Sequence, residues 1–271
     1  MTRRQRLPVT LSLCIAGASI LGACGSDEAT SPPPTSDSPV LGADLAGRWA
    51  HYDVVAYVEG TTKTLIISYG LTDFAVVDGE LVESDRFCHA DQVSNQPIEV
   101  TISDVATQAI IPASTPVEVT EVDDGLRVQR PATPTPVGIR LADPVNERLP
   151  TDPADPRIVD DDNDGNPGIT VSVKVGDAFA GDLFIARREI FAYDMTTDGP
   201  DLLTGTVEDG SEQLIIGATD PLLTTSGAQW VQYPDRAKSP IILRRVDADL
   251  DCEQLMAERD TLFPADPTID W

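Results

Sequence analysis

The feature that most constrains this chain is a rhythm of short segments rich in Val, Ile, Thr and Tyr, cut repeatedly by turn-forming residues. Residues 49–58, 63–69, 74–77, 98–102 and 117–122 form a first set; 169–175, 182–188, 190–195, 203–208, 212–218 and 241–246 form a second. The run from Ile169 to Val175 alternates apolar and polar residues at period two, the pattern of a strand with one buried face. Asp78-Gly79, Asp124-Gly125 and Asp209-Gly210 suit tight turns with positive φ, so each predicts a hairpin and antiparallel neighbours. The expected fold is therefore all-β, an antiparallel barrel or sandwich of eight or more strands. One short helix is expected near the C-terminus, where Asp251 and Gln254 match a capping box. The β domain is read as 41–262, with a surface tail at 263–271. Eight prolines between 131 and 168 predict an excursion there in place of a central strand.

The N-terminus fixes an expected compartment. Arg3, Arg4 and Arg6 precede an apolar run over 7–21, too short for a standard bilayer span of ~20 residues. Next comes Leu21-Gly22-Ala23-Cys24, which resembles the bacterial lipobox. That resemblance implies a leader over 1–23 and a lipid (palmitate among its acyl chains) on Cys24. With Gly25 after the cysteine, it also implies a lipid-anchored envelope protein directed to the outer membrane. Residues 24–40, with three consecutive prolines, read as a disordered tether. The formal charge of −26 becomes −29 once the three leader arginines are gone. Such acidity disfavours nucleic acid, which is held by cationic side chains, and favours cations or basic partners.

Of four cysteines, Cys14 falls in the leader and Cys24 takes the lipid, which leaves Cys88 and Cys252 to pair in an oxidising compartment. His89 adjoins Cys88, but no C-x-x-C supports zinc. Asp160-Asp161-Asp162-Asn163-Asp164-Gly165-Asn166 places acids at alternate positions of a loop with a glycine bend. Asp160, Asp162, Asp164 and Asn166 are thus candidate ligands for a structural Ca²⁺. The loop's twelfth position is Val171, so it is not an EF-hand; an uncomplexed acidic turn is the alternative.

Gly47-Arg48-Trp49 resembles the G-x-W signature of lipocalins and related calycin barrels. There the Trp closes the barrel base under an Arg from the last strand, which implies Arg244 or Arg245 as the partner of Trp49. The second lipocalin motif, at a T-D-Y turn, is absent. Common hydrolase, zincin and nucleotide signatures are absent too, and His51 reads as a packed core residue. The expectation is a non-enzymatic envelope lipoprotein that binds a small or apolar ligand, stiffened by calcium and the disulfide. Two alternatives stand beside it: an acidic surface protein binding cations or basic partners, and an extracellular hydrolase using a carboxylate pair.

Overall fold

The structure, a computed structural model, describes residues 40–225 and 230–271; the leader, Cys24 and the tether to residue 39 lie outside them. Thirteen strands among the described residues form one antiparallel sheet that curls over as a half-barrel. In chain order they are β1 (Gly47–Glu59), β2 (Thr62–Val77), β3 (Glu80–Ser94), β4 (Ile98–Ile102), β5 (Thr115–Pro116), β6 (Glu118–Val122) and β7 (Gly125–Val137). After a long loop come β8 (Ile169–Val175), β9 (Phe179–Thr197), β10 (Leu202–Asp209), β11 (Glu212–Ala218), β12 (Val231–Gln232) and β13 (Pro240–Arg245). Helices α1 (Asp104–Gln108), α2 (Pro221–Thr225) and α3 (Cys252–Leu262) are short.

The first three strands form a meander. Asp78 and Gly79, at φ 52° and 87°, make the two-residue turn between β2 and β3, since primed turns need positive φ at both central positions. The long strand β9 is the spine of the second half. Strands β8 and β7 lie end to end along one of its edges, and β11 and β10 along the other. From β10 the sheet passes through β13 to β1.

Several sequence expectations change. The stretches 63–69 and 74–77 are one strand, β2, because Gly70 lets the ladder continue across a bulge where the Arg86 carbonyl would lie 2.6 Å from a Cβ. Likewise 182–188 and 190–195 fuse into β9. Asp209-Gly210 does not make a hairpin: β10 and β11 both pair with β9 and not with each other, and the Gly210 N–H bonds to the Ile190 carbonyl. The proline-rich excursion begins at 138 rather than 131, because β7 runs through Pro131, Pro134 and Pro136. Pro131 falls in a register shift, and Pro134 and Pro136, two apart, direct their missing donors to one edge. On that edge β6 accompanies only residues 125–129, so no ladder bond is lost.

Strand β1 is covered on both faces. Trp49, His51, Asp53, Val55 and Tyr57 point into the curl, while Ala50, Tyr52, Val54 and Ala56 face outward beneath α3 and the C-terminal tail. The capping box of Asp251 and Gln254 starts α3, and Leu255 buries its inner face. Cys252 is bonded to Cys88 on β3, with Cα atoms 5.3 Å apart. The tail lies on the sheet as a packed strap: Phe263 stacks on Tyr52 at 5.3 Å, Tyr69 donates to Asp266 at 2.5 Å, and Trp271 meets Tyr233 at 4.0 Å. Among the described residues no helix is long and apolar enough to cross a membrane.

The disulfide closes a separation of 164 residues. Replacing both cysteines by Ser should lower unfolding stability by about 2–5 kcal/mol in urea titration. An unchanged midpoint would mean that α3 and the strap hold without it.

Candidate functional site

Where the β1–β3 meander faces β4, β8, β9 and β11, the walls do not meet and a cavity of about 630 Å³ remains. That volume lies inside the usual range for small-molecule sites. Period-two alternation builds the walls: Ile66 from β2, Val100 from β4, Val171 and Val173 from β8, Ile185 from β9 and Ile215 from β11. Aromatic Phe87, Phe191 and Trp230 complete them.

Thr64, Ser68, Gln92 and Thr107 also line the cavity, and one part of its wall carries a hydrogen-bonded group centred on Arg187. Arg187 Nε donates to Glu189 Oε1 at 2.6 Å, and its Nη1 reaches Gln213 Oε1 at 3.3 Å. Tyr57 donates to Asp209 Oδ2 at 2.5 Å. Burial and the nearby Asp209 carboxylate push the Tyr57 hydroxyl well above the usual tyrosine range. Arg187 stays charged: burial opposes its charge, but Glu189, Tyr57 and Asp209 together raise its pKa above the ordinary value.

Behind the cavity, the inside of the curl holds a sealed ionic network. His51 on β1 contacts Asp53 Oδ2 through Nε2 at 2.8 Å and Thr72 Oγ1 through Nδ1 at 2.9 Å. Thr72 in turn donates to Asp85 Oδ1 at 2.6 Å. Arg130 on β7 lies 3.5 Å from Glu83 and 3.4 Å from Asp85, both on β3, and sits over the Tyr193 ring at 4.9 Å. Burial opposes a charge on His51, yet the flanking Asp53 and Asp85 lift its pKa to about 10. The imidazolium can then donate from Nε2 to Asp53 and from Nδ1 to Thr72. Burial also opposes the charge on Asp85, but His51 and Arg130 hold it below the usual value. Burial pushes Glu83 well above that value and raises Asp53 as well. Two cations thus face two carboxylates, with Glu83 held toward its neutral acid. Phe87 packs edge-on to His51 at 5.7 Å and also lines the cavity, so it stands between network and cavity. The Glu83–Asp85 pair is enclosed at 0% and 7% exposure, which is not the open cleft a carboxylate-pair hydrolase uses.

Sequence reasoning took His51 as a plain core residue and missed the network. The signal was present: His51 and Asp53 share the inward parity of Trp49 and Val55 along one strand.

The remaining candidates are placed as follows. Arg245, opposite Trp49 in the β1–β13 register, lays its guanidinium 4.4 Å from the Trp49 ring centroid. It also donates to the Asp44 carbonyl at 2.8 Å and the Ala46 carbonyl at 3.0 Å. Gly47, at φ 129°, leaves room for that guanidinium, whose Nη1 lies 3.1 Å from where a Cβ would sit. Arg244 pairs with Ala50, has the opposite parity and is exposed, so of the two arginines it is not the Trp49 partner. In the acidic loop, ligand oxygens of Asp160, Asp162 and Asp164 all lie within 4.8 Å of one another. Asn163 and Gly165, at φ 59° and 90°, supply the bend. Asp162 is buried and its Oδ1 has no hydrogen-bond partner among the described residues. Asn166 donates its side-chain amide to Asp164 Oδ2 at 3.0 Å, which leaves its backbone carbonyl as the oxygen it could offer. His89 is engaged by Asp104 at 2.6 Å and Asp91 at 3.2 Å.

No family model, curated protein or solved structure matches the chain.

Because the folded pKa of His51 lies above its ordinary 6.5, its stabilisation is complete below that value and is lost as pH rises toward about 10. Between those limits the wild-type protein should lose stability relative to His51→Gln by up to about 1.4 kcal/mol per pH unit. Parallel pH curves for the two proteins would show that His51 is neutral in the fold.

Proposed function

We propose that this chain is a non-enzymatic, lipid-anchored lipoprotein of the bacterial envelope that holds a small apolar ligand. The observation that carries the reading is the cavity of about 630 Å³ between the two halves of the sheet, walled by aliphatic and aromatic side chains. Filling so large an apolar space with side chains would stabilise a protein that had no use for it, which favours an occupant. The lipobox resemblance at Leu21–Cys24 supplies the anchor, and its Gly25 favours the outer membrane. The Trp49–Arg245 stack supports a calycin-like reading of the curl.

Organic extraction of the chain purified from native membranes should release a stoichiometric apolar molecule detectable by mass spectrometry. Val173→Trp, which fills the cavity, should abolish its recovery while the protein stays folded. Equal recovery from the variant would sink the cavity as its site.

We further propose that Asp160, Asp162 and Asp164 hold a structural Ca²⁺. The support is their convergence and the buried, unpaired Oδ1 of Asp162; lacking a bidentate Glu, affinity on the order of 10⁻⁴–10⁻³ M is expected. Millimolar calcium should raise the melting temperature by several degrees, and Asp162→Ala should remove that response. A variant that responds like the wild type would exclude this loop.

A further inference from the structure

We infer that the cavity's ligand is an uncharged amphiphile, an apolar body carrying a neutral hydroxyl or ester head, and that Arg187 receives the head. This inference rests on the cavity reading above and specifies its chemistry.

The hydrogen-bond count on the polar wall leaves a donor over. Glu189 accepts from Arg187 through one oxygen and from the Ser211 hydroxyl, at 3.0 Å, through the other. Asp209 accepts from Tyr57 and, at 2.8 Å, from the Ser211 N–H. Arg187 spends Nε on Glu189 and Nη1 on Gln213, while its Nη2 has no hydrogen-bond partner among the described residues. The side chain is only 15% exposed and lines the cavity. Nη2 is not sealed off, so its free N–H can be taken up by a ligand oxygen in the cavity.

Charge selects the kind of oxygen. Among the described residues Arg187 is the sole basic residue lining the cavity, whereas Glu59 and Glu189 line it too and Asp209 lies close behind through Tyr57. Arg187, Glu189 and Asp209 together carry a net charge of −1. A carboxylate or phosphate head would meet one cation already matched by two anions in a poorly solvated space. An ammonium head would meet Arg187 itself and has no acceptor to offer it. A neutral hydroxyl or ester oxygen accepts from Nη2 and adds no charge. The alkyl body then lies along the apolar side chains of Val100, Val171 and Val173.

The test is displacement of the neutral dye Nile red from the full chain carrying Cys24→Ser, using probes of one chain length: monomyristin, myristic acid and myristylamine. At neutral pH and low salt, monomyristin should compete at concentrations at least tenfold below the other two. Glu189→Gln removes one negative charge and should narrow the gap between monomyristin and myristate to about threefold. Arg187→Met should weaken monomyristin about tenfold while leaving Nile red binding in place. Myristate competing as well as monomyristin, or a gap unchanged by Glu189→Gln, overturns the head-group inference and leaves the cavity reading intact. Failure of every probe, Nile red included, overturns the cavity reading and this inference with it.

Discussion

The interaction on which the rest of the structure depends is the contact of Arg130 with Glu83 and Asp85. Strands β3 and β7 do not pair with each other: β5 pairs with β3 and β6 with β7, and β5 and β6 do not pair. Arg130 reaches across that gap from β7 to two carboxyl groups on β3, and also donates to the Phe191 carbonyl on β9 at 3.1 Å. A guanidinium buried without its counter-charges would cost several kcal/mol. The sheet must therefore stay curled far enough to keep them together. His51 and Thr72 extend the same network to β1 and β2, so the inner strands of the first half meet at one set of charges.

That choice has a consequence for the rest of the interior. The curl around Trp49, Tyr193 and the network is filled. The apolar faces of β4, β8 and the first part of β9 fall outside it, and α1 and α2 are too short to cover them completely. The cavity is what remains between a filled curl and an underfilled second half. The hydrogen-bonded group at Arg187 and Glu189 lies where β9 passes from one half to the other. The ligand reading and the head-group reading thus follow from one property of β9, a strand of 19 residues that serves two cores.

Much of this was legible in the sequence, and the failures have physical causes. Ile98–Ile102, Ile169–Val175 and Glu212–Ala218 match observed strands end to end, because each is bounded by turn residues and has one apolar face. The Asp251–Gln254 capping box and the Cys88–Cys252 pairing were equally plain. Strand β3 escaped notice because its inward positions include Glu83 and Asp85, which read as solvent-facing until a buried partner is known. Strand β7 was hidden by prolines whose harmlessness depends on which edge they face, a fact of pairing and not of composition. Asp209-Gly210 misled because a turn dipeptide says that the chain bends, not which strand it returns to. The cavity was not legible at all: a wall residue and a core residue share the same alternation, and only the distance between walls separates them.

The central claim is that an apolar molecule occupies the space between the two halves. Trp230 lines that space, whereas Trp49 lies inside the curl and Trp271 on the outer strap. Bromine quenches indole fluorescence at contact range, so a monoacylglycerol brominated on its alkyl chain reports directly on occupancy. The account predicts saturable quenching of the full chain that is lost in Trp230→Phe. Quenching that persists unchanged in that variant, or its absence at saturating ligand, would contradict it.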